Sequence, residues 1–374
     1  MKLSATYNFG SGPSQLPSTV LERFSTSFLN WKNSGMSVGE LPHRGVFFQD
    51  ILEETKSLVR ELLGLNDEQE VLFMQGGARG QNAIVPLNML KKNNKCDFVV
   101  TGLWSKFSAK EAEKYGDVSI VNKLTTESYE RIPEIDSWVI RNDTSYLHLC
   151  TNETVHGVEF QRVPDLREVN RGHVPLVLDC SSNLFSRVLD LSNVALAYAG
   201  TQKNLGVAGV TLVIINKKLV ESCIVDPSEI CPSVFSYKNV LSENSCQNTP
   251  PTIPIFITKL VLEWIKENGG VEALTEINAE KSKALYDYID KSNFYYSNVH
   301  ISCRSRVNIP FFLKDSSLND NFVEGAMKRG LLNLKGHPVL GGIRASVYNG
   351  MPMKGVLNLL DWMSTFEKEY CYET

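Results

Sequence analysis

An aspartate and a lysine, 24 positions apart, each follow an apolar stretch of the kind that forms β-strands. Asp179 ends the stretch LVLD, and Lys203 comes shortly after LAYAG. An amine that is shielded from water or lies near other cations has a lowered pKa, so its neutral form is available for Schiff-base formation. An aspartate one strand away could keep the ring nitrogen of a pyridine cofactor protonated. Alone, the pair only suggests this chemistry, because a strand-end aspartate is more often a cap or ion-pair partner and a lysine is usually solvated.

A glycine turn after another apolar run is suited to binding a phosphate. The segment VLFMQGGARGQNAIVPLNML predicts a strand, a turn and then a helix. The free backbone N–H groups and the positive end of the helix dipole point at an anion in such a turn, so Gly77, Ala78 and Arg79 could hold a phosphate. The segment is neither a Walker loop nor G-x-G-x-x-G, and an ordinary tight turn is the alternative.

Two further residues follow predicted strands directly. Trp104, in VVTGLWSKF, could lie flat on a planar heterocycle, where stacking contributes about 0.5 to 1.5 kcal/mol beyond burial. Thr154, in LCTNETVHG, could donate its hydroxyl to a phenolate oxygen. The alternatives are a core or rim position for Trp104 and a capping or turn role for Thr154.

Two basic clusters are suited to binding anions. PHRG contains His43 and Arg44, and KGHPVLGGIRAS contains His337 and Arg344. Arginine presents a planar fork that matches a carboxylate, although surface arginines are common and neither cluster is decisive alone. A phosphate cradle, a flat aromatic, a carboxylate for a ring nitrogen, a Schiff-base amine and carboxylate-binding arginines together form the set that pyridoxal phosphate requires.

Short β-rich runs alternate with helix-like segments in the part of the chain that carries most of these residues. The runs are VLFM (71 to 74), DFVVT (97 to 101), VSIVN (118 to 122), YLHLC (146 to 150), PLVLD (175 to 179) and VALAYA (194 to 199). They predict an α/β sheet covered on both faces, in which ligands collect at the carboxyl ends of the strands. From about Ile255, long amphipathic helices and then strand-like RVNIPFFL indicate a second, smaller α+β lobe.

Composition argues against several classes of protein. A net charge of −4 and no Lys/Arg-rich block make nucleic acid a poor partner. No apolar run approaches the ~18 residues of a transmembrane helix, and MKLSATYNFGSGP lacks the apolar stretch of a signal peptide. The eight cysteines show neither C-x-x-C nor zinc-site spacing. We therefore expect reduced thiols, no metal site and a cytoplasmic protein.

A series of ordered motifs spans nearly the whole chain: NFGSGPSQLP, GMSVGELPHRG, VLFMQGGARGQ, VVTGLWS, CTNETVHG, LDCSSNLFSR, AGTQKNLGVAGVT, QNTPPT, RSRVNIPF and LKGHPVLGGIRASVYN. With them the chain resembles the phosphoserine aminotransferases, class V members of the fold-type I pyridoxal-phosphate enzymes. The resemblance implies a large α/β domain, residues 16–268, with a mainly parallel seven-stranded sheet flanked by helices. It also implies a smaller α+β domain formed by residues 1–15 and 269–374.

The resemblance also implies a role for each candidate residue. Lys203 would form the Schiff base, Asp179 would pair with the pyridinium, Trp104 would stack on the ring and Thr154 would bond its phenolic oxygen. The cofactor phosphate would bind to the following residues, of which the last two would reach over from the second subunit of a homodimer: Ala78, Arg79, Gln202, Asn248 and Thr249. Substrate would bind with its α-carboxylate on Arg344, and the other substrate residues would be Ser11, His43, Arg44, Arg79 and His337.

The implied activity is reversible, ping-pong amino transfer between L-glutamate and 3-phosphohydroxypyruvate, giving 2-oxoglutarate and O-phospho-L-serine in serine biosynthesis. Related enzymes also act on 4-phosphohydroxythreonine in vitamin B6 synthesis. One alternative is a class V enzyme for unphosphorylated substrates, or one like a cysteine desulfurase, which typically has a histidine where this chain has Gln202. Another is a non-catalytic scaffold that keeps the fold.

One departure from the family pattern bears on substrate. The family usually reads KGHR where this chain reads KGHP, so Pro338 replaces an arginine expected to help bind phosphate. A charge-assisted contact contributes ~1.5 to 3 kcal/mol, and its loss should weaken phosphate binding unless another cation, such as Lys335, compensates. Thr201 and Val207 stand where the family usually has Ala and Pro, and these changes are milder.

Overall fold

The computed structural model describes residues 6–122, 129–218 and 231–371. Its strands are β1 (Tyr7–Asn8), β2 (Gln69–Met74), β3 (Lys95–Val99), β4 (Asp117–Ile120), β5 (Leu147–Cys150), β6 (Asn152–Glu153), β7 (Val158–Glu159), β8 (Leu176–Asp179), β9 (Leu196–Gly200), β10 (Thr211–Asn216), β11 (Tyr295–Tyr296), β12 (Asn308–Leu313), β13 (Leu331–Leu332) and β14 (Ile343–Ser346). Its α-helices are α1 (Ser18–Phe28), α2 (Val46–Leu63), α3 (Gly77–Met89), α4 (Leu103–Ala112), α5 (Tyr237–Ser242), α6 (Thr252–Glu267), α7 (Gly270–Lys291), α8 (Asn319–Lys328) and α9 (Met353–Cys371).

The largest sheet has seven strands in the order β2-β10-β9-β8-β5-β3-β4. Strand β10 runs antiparallel to both of its neighbours, and all the other neighbouring pairs are parallel. The expected mainly parallel seven-stranded sheet flanked by helices is therefore confirmed. Antiparallel neighbours can be joined by a short turn, and the turn from β9 to β10 is the one that carries Lys203.

Helices cover both faces of this sheet, which explains why its strands are nearly continuous apolar runs. One face packs against α1, α2 and α6, with Phe256 of α6 fully buried in that core. The other face packs against α3, α4 and α5, where Ile84 of α3 is buried. Successive strand residues alternate between the two faces, so Val177 packs on the side of α3, α4 and α5 and Leu178 on the side of α1, α2 and α6.

A second core lies in the smaller part of the chain. The three-stranded antiparallel sheet β11-β12-β14 packs with α7, α8 and α9 around Phe311, Phe322 and Trp362. Strand β1 pairs in parallel with β13, so the beginning of the described chain lies with the C-terminal part. Helix α7 contributes Leu274 to the core of the large sheet and Leu285 to the second core. The division at residues 16–268 stays a prediction, and we keep it as a proposal that the two cores and the β1–β13 pairing support.

Two expectations from composition concern membrane-spanning helices and the state of the cysteines. Among the helices of the described residues, none is both long and apolar enough to cross a membrane. The cysteines whose side chains are described are free thiols: Cys96, Cys150, Cys180, Cys231, Cys246 and Cys303. Cys223 and the side chain of Cys371 lie outside the described part of the chain.

Candidate active site

The carboxyl ends of β5, β8 and β9 open into a cavity of about 320 Å³. A volume of this size is in the range of small-molecule binding sites. The sequence-predicted residues that line the cavity are Ser11, Ala78, Arg79, Trp104, Thr154, Asp179, Gln202 and Lys203. Residues far apart in the chain meet here because parallel strands place their carboxyl ends at one edge of the sheet.

The ε-amine of Lys203 points at two of the other predicted residues. Its Nζ donates to Thr154 Oγ1 at 2.9 Å and lies 5.8 Å from the centre of the Trp104 ring. The amine, the hydroxyl and the indole therefore face one another across the cavity. A planar ring that condenses with this amine would lie within reach of both the indole and the threonine hydroxyl.

The backbone around Lys203 is fixed from two directions. The N-terminal segment packs on the lysine turn, since Ser14 N donates to Gln202 O at 3.0 Å and the Ser14 hydroxyl donates to Lys203 O. Within the turn, the hydroxyl of Thr201 donates to Val207 O at 2.5 Å. Thr201 and Val207 are the two departures from the family pattern that lie in this turn, and the bond between them closes it.

Asp179 lies at the end of β8, level with Cys150 on β5 and Tyr198 on β9. Its Oδ1 accepts two hydrogen bonds, at 3.0 Å from Ser181 N and at 2.6 Å from Ser181 Oγ. These bonds orient the carboxylate while its other oxygen keeps the capacity for a further donor. Ser181 also lines the cavity, so the aspartate is held in place from within the site.

The start of helix α3 forms one end of the cavity. Gly76 and Gly77 have φ values of 96° and 64°, a left-handed conformation that glycine adopts without strain. The turn leads straight into α3, whose N-terminus receives no side-chain cap bond from any described residue. Its free N–H groups and its dipole suit a phosphate. Gln202 approaches so closely that a Cβ at Gly200 would lie 2.5 Å from its Oε1, so this glycine makes room for the glutamine.

The segment after β5 supplies Thr154 and two buried polar neighbours. The Asn152 side chain donates to Ser182 Oγ and Asn308 Oδ1, both at 2.8 Å, and so ties the segment to β12 in the smaller part. The side chain of Glu153 is fully buried and accepts hydrogen bonds from the backbone N–H groups of Trp104 and Ser105. Burial raises the pKa of Glu153, and the hydrogen bonds from Ser105 oppose this rise.

A buried polar chain supports the wall of the cavity. His148 Nε2 lies 2.9 Å from Tyr198 Oη, which in turn donates to Asn82 Oδ1 at 3.4 Å. Ser108 Oγ donates to the same Asn82 oxygen at 3.0 Å. Burial lowers the pKa of His148 to about 3, so this imidazole is neutral at physiological pH. Asn82 and Ser108 line the cavity, and the chain fixes their side chains.

Arg344 and His337 lie apart from the lining of this cavity. Arg344 is on β14, and its buried Nε has no hydrogen-bond partner among the described residues. Burial lowers the pKa of Arg344, whereas a bound carboxylate would compensate for the lost hydration. Burial also lowers the pKa of His337, with a smaller effect from the charge of Arg344. Burial and, to a smaller extent, the charge of His337 lower the pKa of His156 to about 4.

Lys335 does not face the cavity. Its Nζ lies 3.0 Å from Asp320 Oδ1 in an ion pair whose side chains are 73% and 74% exposed. Pro338 is exposed nearby in the same glycine-rich stretch.

Four other predicted residues are not part of the lining of this cavity: His43, Arg44, Asn248 and Thr249. The carbonyl of His43 accepts a hydrogen bond from Gln49 Nε2 at 2.6 Å and faces Cys246, so the PHRG stretch, with Arg44, lies beside the QNTPPT loop. Thr249 O accepts from Gln75 Nε2 at 2.7 Å. Asn248 lines a separate cavity of about 220 Å³.

Sequence reasoning missed several residues of the cavity. The additional lining residues include Asn82, Ser108, Cys150, Asn152, Ser181 and Ser182. A signal was present, because polar residues directly follow apolar strands in CTNET and in DCSSN. Glu153 does not line the cavity, and its role as a cap of α4 can be recognised only from the structure.

Comparison with known proteins gives a consistent result. The family model of the class V aminotransferases matches residues 6–359. A phosphoserine aminotransferase from Ralstonia nicotianae is 47% identical over 97% of this chain and 95% of its own length. The structure of phosphoserine aminotransferase from Bacillus circulans subsp. alkalophilus superposes with a TM-score of 0.93 at 37% identity, covering 98% of this chain and 99% of that one. A pyridoxal-phosphate-bound phosphoserine aminotransferase from Trichomonas vaginalis gives a TM-score of 0.91 at 35% identity, covering 96% and 100%.

Proposed function

The chain belongs to the class V aminotransferases, and within them to the phosphoserine aminotransferases, and from this premise we propose that it transfers amino groups with pyridoxal phosphate. The substrates are L-glutamate and 3-phosphohydroxypyruvate, and the products are 2-oxoglutarate and O-phospho-L-serine. The observation that carries the proposal is the convergence of Lys203, Thr154, Trp104 and Asp179 on one cavity.

The residues of the cavity fit the cofactor part by part. The start of α3, with Ala78, Arg79 and Gln202, would hold the phosphate. Trp104 would lie against the ring, and Asp179 would hold a proton at the ring nitrogen.

Pyridoxal phosphate, when bound, supplies an aldehyde and a ring that takes up electrons from the substrate. This chain's residues then do the proton chemistry. The amine of Lys203 is placed to remove a proton from the substrate α-carbon and to return it, acting as general base and acid. Thr154 can donate a hydrogen bond to the phenolic oxygen once the Lys203 amine no longer donates to the threonine hydroxyl. Because the first product leaves before the second substrate binds, the kinetics should be ping-pong.

The substrate would bind with its α-carboxylate on Arg344. The buried Nε of Arg344, which has no hydrogen-bond partner in the described part of the chain, suits an α-carboxylate, and Ser11 lines the same cavity as Lys203. His337 lies near enough to Arg344 for their charges to interact, which suits the distal phosphate. A shared need for a phosphate group also makes 4-phosphohydroxythreonine a second substrate in this proposal.

The remaining predicted residues would serve a second copy of the chain. His43 and Arg44 lie beside the loop that carries Asn248 and Thr249, and none of the four residues lines the cavity of its own chain. In a homodimer, these residues would complete the phosphate and substrate sites of the partner. Mixing Lys203→Ala and Asn248→Ala chains tests this, because a mixed dimer contains one site with both residues intact. Regained activity supports shared sites, and activity no greater than the sum of the two variants opposes them.

We also place the reaction in the cytoplasm. Support comes from the six described cysteines, which are free thiols, and reduced cysteines are typical of that compartment. Fractionation of cells that express the full chain would test this location.

The function is tested by steady-state kinetics of the pyridoxal-phosphate-loaded protein. We expect turnover of phosphoserine with 2-oxoglutarate and much lower turnover of serine or alanine. A clear preference for the unphosphorylated amino acids would favour a class V enzyme of another specificity. A protein that stays colourless with added pyridoxal phosphate would favour a scaffold.

A further inference from the structure

The first three N–H groups of helix α4 all bond to side chains from one short segment of the chain. Trp104 N donates to Glu153 Oε2 and Ser105 N donates to Glu153 Oε1, both at 2.9 Å. Leu103 N donates to His156 Nδ1 at 3.4 Å. Because the first N–H groups of a helix have no partners within it, these bonds determine where α4 begins.

The carboxylate of Glu153 acts as a cap that a different strand supplies. Its side chain is fully buried, and Ser105 Oγ adds a third hydrogen bond at 2.6 Å. A negative charge at the positive end of a helix is favourable, most of all when it is shielded from water. Gly102, which precedes the helix, leaves the space for it, since a Cβ there would lie 2.4 Å from Glu153 Cδ.

Glu153 also connects the two groups that face each other across the cavity. Its neighbour Thr154 receives the hydrogen bond from Lys203 Nζ, while Glu153 itself holds the backbone of Trp104. On the other side, Asn152 is anchored to Ser182 and Asn308, so the segment has a fixed position. The position of the Trp104 indole relative to the Lys203 amine therefore depends on three consecutive residues, Asn152, Glu153 and Thr154.

We propose that Glu153 is a positioning residue, which sets the place of the Trp104 ring over the cofactor relative to Lys203. The inference rests on the proposed function, because it concerns the binding of pyridoxal phosphate. Without the carboxylate, the N–H groups of Trp104 and Ser105 lose their acceptors and the first turn of α4 shifts or frays. The indole then no longer stacks on the ring.

A double-mutant cycle tests the proposal by measuring the dissociation constant of pyridoxal phosphate in equilibrium dialysis. The four proteins are the wild type, Glu153→Gln, Trp104→Ala and the double variant. A glutamine keeps the shape but sets an N–H₂ group against a backbone N–H. We expect Glu153→Gln to weaken binding about tenfold, the upper end of what a ring stack contributes.

In the Trp104→Ala background, which has no ring to stack, the same Glu153→Gln change should weaken binding by less than about twofold, because residues that act through one contact are not additive. An equal factor in both backgrounds would overturn the proposal. If Glu153→Gln does not fold, Ser105→Ala removes the 2.6 Å contact to the carboxylate and takes its place in the cycle. Wild type that binds no pyridoxal phosphate would refute the proposed function itself, whereas binding with additive effects would refute this inference alone.

Glu159→Gln is the matched control. Glu159 is equally buried, and it pairs with Arg187 at 2.9 Å and accepts from Arg306 N at 2.8 Å. Its loss should lower thermal stability but change the affinity for pyridoxal phosphate by less than about twofold, since neither contact involves α4. Equal weakening by Glu159→Gln and Glu153→Gln would show that losing any buried carboxylate suffices, and would also overturn the proposal.

Discussion

The ε-amine of Lys203 lies 2.9 Å from the hydroxyl oxygen of Thr154. The two residues follow β9 and β5, which are separated by β8 in the sheet and end at the same edge. A hydroxyl can both accept and donate, so Thr154 accepts from the amine here and can donate to a cofactor oxygen when the amine is engaged. This contact links the residue that would bind the cofactor covalently to one that would orient it.

Thr154→Val should reduce kcat/KM for phosphoserine about tenfold while preserving the fold. Valine has nearly the same shape but lacks the hydroxyl, and a hydrogen bond contributes ~1 to 1.5 kcal/mol. Steady-state assays of the loaded enzyme check this. The control is Thr55→Val, since Thr55 is buried in α2 and its hydroxyl donates to Ile51 O instead. Unchanged kinetics for Thr154→Val would contradict the role given to this hydroxyl.

Asp179→Asn should lower the rate of the first half-reaction by about 100-fold or more, because an amide cannot stabilise a protonated ring nitrogen as a carboxylate does. Single-turnover mixing with phosphoserine measures this rate. Asp97→Asn is the matched control, since Asp97 is buried on β3 in an ion pair with Arg141 at 2.7 Å. That variant should be less stable but should react normally per bound cofactor. A rate for Asp179→Asn within about threefold of wild type would argue against the carboxylate's role.

Pro338→Arg should lower KM for phosphoserine about tenfold, the lower end for a charge-assisted contact, because position 338 is exposed. KM for alanine should not change. Val339→Arg adds the same charge one residue away, where the side chain is 64% exposed. An equal gain from both variants would show a general effect of charge on the loop, and no gain from Pro338→Arg would mean that other groups already bind the phosphate.

His148 should make unfolding depend on pH in the acid range. Burial lowers its pKa to about 3 from an ordinary value of 6.5. Between these values the unfolded chain binds a proton that the folded chain does not, so the free energy of unfolding falls as the pH falls through this window. One such group contributes a slope of up to ~1.4 kcal/mol per pH unit.

His148→Phe should therefore flatten the pH dependence of urea unfolding between pH 7 and pH 5. Phenylalanine fits beside Phe98, whose ring centre lies 5.0 Å from that of His148. The exposed His173, changed to Gln, serves as the control and should leave the slope as it is in the wild type. An identical slope for wild type and His148→Phe would show that the buried imidazole does not cause the acid sensitivity.

Much of the sheet was predictable because buried parallel strands have a distinctive composition. The run PLVLD gave β8 with its end at Asp179, and the run VLFM gave most of β2. Residues a few positions after such strands could be expected to meet at one edge, and Lys203 and Thr154 are in contact there. The boundaries of β3 differ by two residues, from 97–101 to Lys95–Val99, since apolar residues also continue beyond the last paired position.

Other features of the site were not predictable from the sequence. Glu153 reads as an ordinary polar residue in CTNET, and its role appears only because the fold brings the start of α4 against it. The spacing of apolar residues also does not show whether a loop contributes to the cavity of its own chain or to that of a second copy. Asn248 and Thr249 do not directly follow any described strand, and only the three-dimensional arrangement shows that they are not part of the lining of their own chain's cavity.

The most direct test of the account is to reduce the pyridoxal-phosphate-loaded protein with borohydride and map the labelled peptide by mass spectrometry. We predict a single pyridoxyl group on Lys203 and none after Lys203→Ala. Lys281, which is fully buried and donates to three backbone carbonyls including Tyr348 O at 2.8 Å, should stay unlabelled. A label on any other lysine, or no label at all, would contradict the central claim.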